Sequence, residues 1–207
     1  MPSRAKRLLA IINYFRTLPV YLCVLCSKQK NLIKMDVLRW NEIDQVKFNM
    51  FESINWYMTY KKEFRNLLLH RFKNPSRSFM SMVHFVIARI LWKPMDSLYI
   101  YTEDIGGGLY IQHGFATIIT AKKIGVNCRI YQQVTIGYKN GACPPVLEDN
   151  VSVTCGAKVL GDITMHSGSL AAAGAVVVKD VPENAIVAGV PAKVIGYKDE
   201  NNLDFQG

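Results

Sequence analysis

The chain is 207 residues long, half of them hydrophobic, with a formal net charge of +9. That length holds one large domain or two small ones around a real core, and the hydrophobic content excludes general disorder. Through Lys93 there are 17 Lys and Arg against 5 Asp and Glu, net +12, which leaves 8 against 11, net −3, so the positive balance belongs to the N-terminal part alone.

The first 35 residues carry seven basic side chains (Arg4, Lys6, Arg7, Arg16, Lys28, Lys30, Lys34) and no acidic one, interleaved with residues such as Leu8, Ile11, Phe15, Leu22 and Leu25. Two readings stay open: a surface that lies on an anionic membrane or binds an acidic partner, or a solvated basic face on helices that pack against a neighbouring subunit. Asn13, Arg16 and Pro19 interrupt the best apolar stretch before it reaches ~20 residues, so no spanning helix is expected. No small-residue cleavage site follows it, so no signal peptide is expected either. The protein is expected in the cytoplasm, with the inner face of the membrane as the alternative, and nucleic acid is not expected as a partner. The cysteines, Cys23, Cys26, Cys128, Cys143 and Cys155, have no zinc spacing with each other or with histidine, and no metal is expected. Cys23 and Cys26, three apart in an apolar segment, read as core residues on one helix face in a reducing compartment.

From about Phe48 to Phe72 apolar residues recur at helical spacing (Phe51, Ile54, Tyr57, Met58, Leu67, Leu68), with Lys61, Lys62, Glu63 and Arg65 on the other side. Pro75 ends that segment. Ser76 or Ser78 caps the next helix, which runs through Phe79, Met82, Val83, Val86, Ile87, Ile90 and Leu91 to about Trp92 and stops before Pro94. From about Ser97 β-branched residues and glycines replace the helical pattern, so a domain boundary falls between Lys93 and Tyr101.

Six-residue steps then dominate. Leu147, Val153, Val159, Met165, Ala171 and Val177 form one series, with Val151, Ala157, Ile163, Ser169, Ala175 and Val181 four places after each. Ile118, Ile124, Ile130 and Ile136 form an earlier series, preceded by Ile105 and Ile111. A period of six is a multiple of the strand period and does not fit a 3.6-residue helix, so each hexad predicts a short strand plus a turn, stacked into coils around one apolar column. The pattern breaks twice. Ile111 to Ile118 is one residue over register, which predicts a bulge or short excursion, and Gly137 to Pro145 has turn composition, which predicts a loop leaving the stack. The segment Val187 to Ile195 closes the coil, and 199–207 reads as a polar tail.

Of the four histidines, His70 and His84 fall in the helical half, and His166 follows the inward Met165 and is expected to face solvent. His113 alone stands beside the register break, where it reads as either a structural histidine or a base, since an imidazole permits both roles near neutral pH.

Five segments, Ile105-Gly-Gly-Gly-Leu-Tyr-Ile-Gln-His113, Ile130-Tyr-Gln-Gln-Val-Thr-Ile-Gly137, Val153-Thr-Cys-Gly-Ala-Lys-Val-Leu-Gly161, Ala173-Gly-Ala-Val-Val-Val-Lys-Asp180 and Ala188-Gly-Val-Pro-Ala-Lys193, resemble the hexapeptide-repeat acyltransferases. The serine acetyltransferase branch is nearest, and the chain also resembles short acetyltransferases of surface-polysaccharide synthesis. The resemblance covers about 105–195. It implies a mainly β protein: an α-helical domain (1–96), a left-handed parallel β-helix (97–196) and a polar tail (197–207), assembled as a homotrimer or a dimer of trimers. It also implies acetyl-CoA as cosubstrate, held between neighbouring subunits, and His113 as the general base that deprotonates an acceptor hydroxyl without an acetyl-enzyme intermediate. Gly137 and Tyr138 would line the thioester, with backbone N–H groups of 137–139 as oxyanion donors. Cys155 and Ala173 would stand where the family has small alanines, and Lys179 and Lys193 would meet the CoA phosphates.

Departures from the serine branch bear on the acceptor. Gln112 occupies the place of an Asp that contacts the acceptor, Cys143-Pro144 replaces an Arg-His pair, and the Asp that orients the histidine would fall near Leu98, with Asp96, Glu103 and Asp104 close by. On those losses a sugar or polysaccharide-precursor hydroxyl is expected slightly ahead of serine, with an inactive scaffold or binding protein as a reading of another class.

Overall fold

The computed structural model describes residues 4–73, 78–141 and 143–198, with side chains from residue 8. The expected stop at Pro75, the alternative cap Ser76 and the tail 199–207 lie outside them. The chain divides into two compact units, Met1–Asp96 and Ser97–Gly207.

The first unit contains α1 (Arg4–Ile12), α2 (Tyr14–Cys26), α3 (Lys30–Ile43), α4 (Met50–Tyr60), α5 (Lys62–Lys73) and α6 (Phe79–Leu91). Its centre is aromatic: Trp40, Tyr57 and Phe64 are fully buried, with ring centroids 5.1 to 5.4 Å apart, Trp40 meeting both neighbours edge-on. Such contacts add to the burial of area itself. Polar ties cross the same interior. Thr17 donates to the Asn55 side-chain oxygen at 2.8 Å, and Asn55 donates to the Ala10 carbonyl at 2.9 Å, which joins α1, α2 and α4. Arg71 grips Asp36 with two parallel bonds of 2.9 and 3.0 Å, both side chains almost wholly buried. Asn49 and Glu52 close a reciprocal capping box at the start of α4.

Three expectations change here. The helix expected through Phe72 is two helices, broken at Lys61, whose backbone is extended. No proline or glycine marks the break. It holds because the Arg65 guanidinium accepts the role of cap, donating to the carbonyls of Met58 and Thr59 that the break leaves open. Glu63, expected on the polar side, is buried. Cys23 is buried as expected, but Cys26 is exposed on the outer side of α2.

α6 begins at one of its two expected caps. Ser78 is its cap, accepting from the Ser81 N–H at 3.2 Å. Its apolar stripe faces out: Phe79, Met82, Val86 and Ile90 are exposed, whereas His84 and Ala88 are buried. His84 lies 5.6 Å from the Phe72 ring, and burial pushes its pKa below 6.5. The unfolded chain therefore takes up that proton more readily, and stability is expected to fall as pH drops below about 6.5. Thermal melts of His84→Leu between pH 7 and pH 5 check this: the variant should lose part of the acid slope, and an unchanged slope would place the effect elsewhere.

The second unit is a stack of five coils with three sheets. The first face is β1 (Leu98–Ile100), β3 (Thr117–Ile119), β6 (Thr135–Gly137), β9 (Lys158–Leu160) and β12 (Val176–Val177). The second face is β4 (Lys123–Ile124), β7 (Val146–Leu147) and β10 (Thr164–Met165). The third face holds β2 (Tyr110–Ile111), β5 (Arg129–Ile130), β8 (Ser152–Val153), β11 (Leu170–Ala171), β13 (Ala185–Gly189) and β14 (Ala192–Tyr197). All pairings are parallel except β13 with β14.

Each face contributes one inward column: Ile119, Ile136, Val159, Val177; then Ile124, Leu147, Met165, Val181; then Ile111, Ile130, Val153, Ala171, Val187. All thirteen are buried. Strand alternation explains this, since two residues of each hexad lie in a strand and one of them points in. Corners bring backbones close: a Cβ at Gly106 would stand 2.7 Å from the Gly125 carbonyl, which accounts for glycine at that rung.

The expected register is corrected at one strand. Ile119, not Ile118, points inward, eight residues after Ile111 and five before Ile124, while Ile118 is exposed. The excursion is thus two residues long, and the following corner recovers one of them. The loop after Gly137 leaves the stack as expected, though its last residue, Pro145, is buried with its carbonyl in the ladder to Lys122. The closing segment is not another coil turn. Beyond a cis Val190–Pro191 bond, β14 runs back antiparallel on β13 and covers the end of the third face.

Candidate active site

His113 stands on the corner between the third and first faces. Its backbone is left-handed, φ 62°, and the Gly114 N–H donates to the Gln112 carbonyl at 2.8 Å across it. A bond from i+2 to i around a residue of positive φ is a γ-turn of the rarer kind, which strains any residue with a β-carbon. Gly114 and Ala116 are also at positive φ. The excursion is pinned on both sides: Gln112 N–H donates to Ile130, while the Phe115 carbonyl accepts from Gln133 N–H and from the buried Thr117 hydroxyl. The imidazole is consequently held out from the corner, exposed, with no hydrogen bond among the described residues.

The same corner, rung by rung, carries Gln112 and His113, then Gln132 and Gln133, then Cys155, then Ala173. Cys155 is half-buried, and at Gly174 nothing lies within 4 Å of where a Cβ would be. With Ala172 and Ala173 beside it, this makes a lane of small residues leading away from His113. Lys193 on β14 pairs with Ala188, at the far end of that lane. A lane of small side chains with a cation at its end fits a long thin arm that terminates in phosphate.

Gly137, Tyr138 and Lys179 are elsewhere. They occupy the corner between the first and second faces, on the other side of the strand Thr135–Gly137 from Gln133. The five steps from Gln133 to Tyr138 span on the order of 15 Å. The loop passes over the next coil, where a Cβ on Gly161 would meet the Lys139 side chain at 3.1 Å. One chain therefore does not bring the expected thioester residues to His113.

Among the described residues no carboxylate beside His113 takes the orienting role. Leu98 is buried, Asp96 pairs with Lys93 at 2.9 Å in the helical unit, and Glu103 and Asp104 lie on the first-to-second corner. His166, half-exposed as expected, pairs with Glu148 at 3.2 Å on the second-to-third corner. The Ser167 N–H donating to that carboxylate, with its hydroxyl and His166 behind it, holds the Glu148 pKa below the usual range. Cys128 is buried and its thiol is pushed up to about 12, which leaves it no nucleophilic part.

Reading the sequence passed over three residues of the first face. Lys158 reaches to the Gln133 carbonyl at 2.7 Å, one rung from His113. Tyr99 and Tyr101 are exposed, with ring centroids 6.2 Å apart and planes only 7° from parallel, and Tyr99 pairs with Ile118 beside the excursion. Outward alternation beside the inward Val159 places Lys158, whereas no hexad sets the register of the strand that carries Tyr99.

The chain matches the serine acetyltransferase of Bacillus licheniformis, 38% identical over 109 residues, which are 49% of this chain and 50% of that protein. Its likeness is to the serine acetyltransferases of the hexapeptide-repeat acyltransferase superfamily. No family model matches it. The chain spans about half the length of the curated relatives it matches first. Among solved structures, the serine acetyltransferase of Neisseria gonorrhoeae in complex with serine has a TM-score of 0.62 at 23% identity, covering 90% of this chain and 83% of that one. A serine acetyltransferase in complex with CoA has a TM-score of 0.57 at 23% identity, covering 80% of this chain and 68% of that one. These structures share the coil stack and the helices that precede it.

Proposed function

We propose that the protein is an acetyl-CoA-dependent O-acetyltransferase acting in the cytoplasm, with His113 as its general base. The observation that carries this reading is the γ-turn at the two-residue excursion, which holds an unpartnered imidazole out of the stack, since strain of this kind persists where function requires it. His113 takes the proton of the acceptor hydroxyl as its oxygen attacks the thioester carbonyl; the carbon–sulfur bond then breaks and CoA leaves. The lane past Cys155 and Ala173 takes the pantetheine arm, with Lys193 toward the phosphates. Gly137, Tyr138 and Lys179 complete the site from a second copy, because they stand on a different corner of their own chain. A contact between unlike corners is heterologous, and three copies close it into a ring. A homotrimer of left-handed coils is part of the proposal.

The names of the relatives turn the choice of acceptor toward serine, against the preference for a sugar drawn from the sequence. A sugar hydroxyl stays as the second reading because of two observations: Gln112 offers an amide where a charged amine would want a carboxylate, and the parallel Tyr99 and Tyr101 rings stand exposed on the adjoining face. Release of CoA thiol, followed with a thiol reagent against serine and a panel of hexopyranosides, tests both. Serine-dependent release supports the first reading, sugar-dependent release the second, and no turnover with any hydroxyl overturns the enzyme.

A further inference from the structure

We propose that the outer face of α2 and α6, continued onto α1, docks on an anionic lipid surface. On α2 the outward residues are Phe15, Leu18, Leu22 and Leu25, and Phe15 is 75% exposed. On α6 they are Phe79, Met82, Val86 and Ile90, with Phe79 81% and Ile90 77% exposed. Both sets repeat every three or four residues, so each forms one stripe along its helix. The stripes adjoin. Arg16, near the start of α2, donates to the Leu91 carbonyl at the end of α6 and lies 4.3 Å over the Trp92 ring, so the helices run side by side in opposite directions. Leu8, Leu9, Ile11 and Ile12 of α1 are exposed as well.

An apolar face of this extent exceeds what a monomer leaves in water, so something covers it. Charge selects the occupant. α1, α2 and α6 contain no acidic residue at all. Lys28, Lys30 and Lys34 stand exposed just beyond the end of α2, and Arg89 is exposed on α6. The whole unit 1–96 has 17 basic and 6 acidic residues. A second copy would bring the same positive charge against it, whereas a leaflet of acidic phospholipid brings the opposite charge together with an apolar layer. No helix among the described residues is long and apolar enough to cross a membrane, so the contact is in the plane of the interface. The inference is independent of the acetyl-transfer reading.

The test uses the full chain and vesicles of phosphatidylcholine alone or mixed with phosphatidylglycerol. Cosedimentation is expected to be on the order of tenfold stronger with the anionic vesicles and to weaken as salt rises. The variant Phe15→Gln/Leu22→Gln/Ile90→Gln changes only exposed positions and should fold, which its melting curve checks, yet lose vesicle binding about tenfold or more. Replacing Lys28, Lys30 and Lys34 by Gln should remove most of the salt dependence. No binding of the native chain to anionic vesicles would overturn the proposal, as would native-like binding by the triple Gln variant. A fall in hydrodynamic mass of that variant without vesicles would also overturn it and assign the face to contact between copies.

Discussion

His113→Ala is expected to lower kcat for acetyl transfer by ~10²- to 10⁴-fold, the range a positioned proton acceptor supplies, while KM for acetyl-CoA changes little. The γ-turn separates this outcome from misfolding. Because His113 has φ 62°, its β-carbon is strained whatever the side chain, and removing it should relieve the backbone. His113→Gly is therefore expected to melt at the same temperature as the native protein or higher, by up to ~1 kcal/mol of added stability, and still to be inactive. Kinetics with the cosubstrate and a melting curve on both variants decide the matter. An Ala variant as fast as the native protein would remove the base from the mechanism, and a Gly variant that unfolds readily would show that the ring serves packing.

The second large effect is on stability. Asp36→Ala removes the carboxylate that accepts two bonds from the buried Arg71 guanidinium, and breaking a buried pair from one side costs about 3–5 kcal/mol. At ~2–4 °C per kcal/mol for a chain of this size, the melting midpoint of the helical unit should drop by roughly 10 °C. Asp36→Leu combined with Arg71→Met should recover most of that, since an apolar pair of similar volume removes both charges together. If Asp36→Ala melted within a degree of the native protein, water or another partner must already reach the guanidinium. Full recovery by Asp36→Leu alone would say the same.

How much of this was readable in advance varies with the kind of signal. The coils were legible because strand alternation and the hexad agree, so Leu147, Val153, Val159 and Met165 could hardly point anywhere but inward. Ile118 misled because two neighbouring isoleucines fit the spacing equally well, and only the two-residue length of the excursion chooses Ile119. The break at Lys61 had no local sign, since what stabilises it is a guanidinium four residues further on that reaches back to two carbonyls. α6 shows a different limit. Periodicity says which residues share a face but not what that face meets, and only their exposure shows that Phe79, Met82, Val86 and Ile90 point outward. The placement of His113 at a register break was visible; the separation of Gly137 and Tyr138 onto another corner required knowing where each strand ends.

Leu147 stands 23 residues after Ile124 on the second face, where Met165 stands 18 after Leu147, and Val153 and Val159 show the same enlarged step on the other two faces. Every neighbour above the loop is displaced along the chain by an equal amount, so the stacking partners stay matched as if nothing had been inserted. Length is thus free to vary at a vertex while the three interior columns keep their partners.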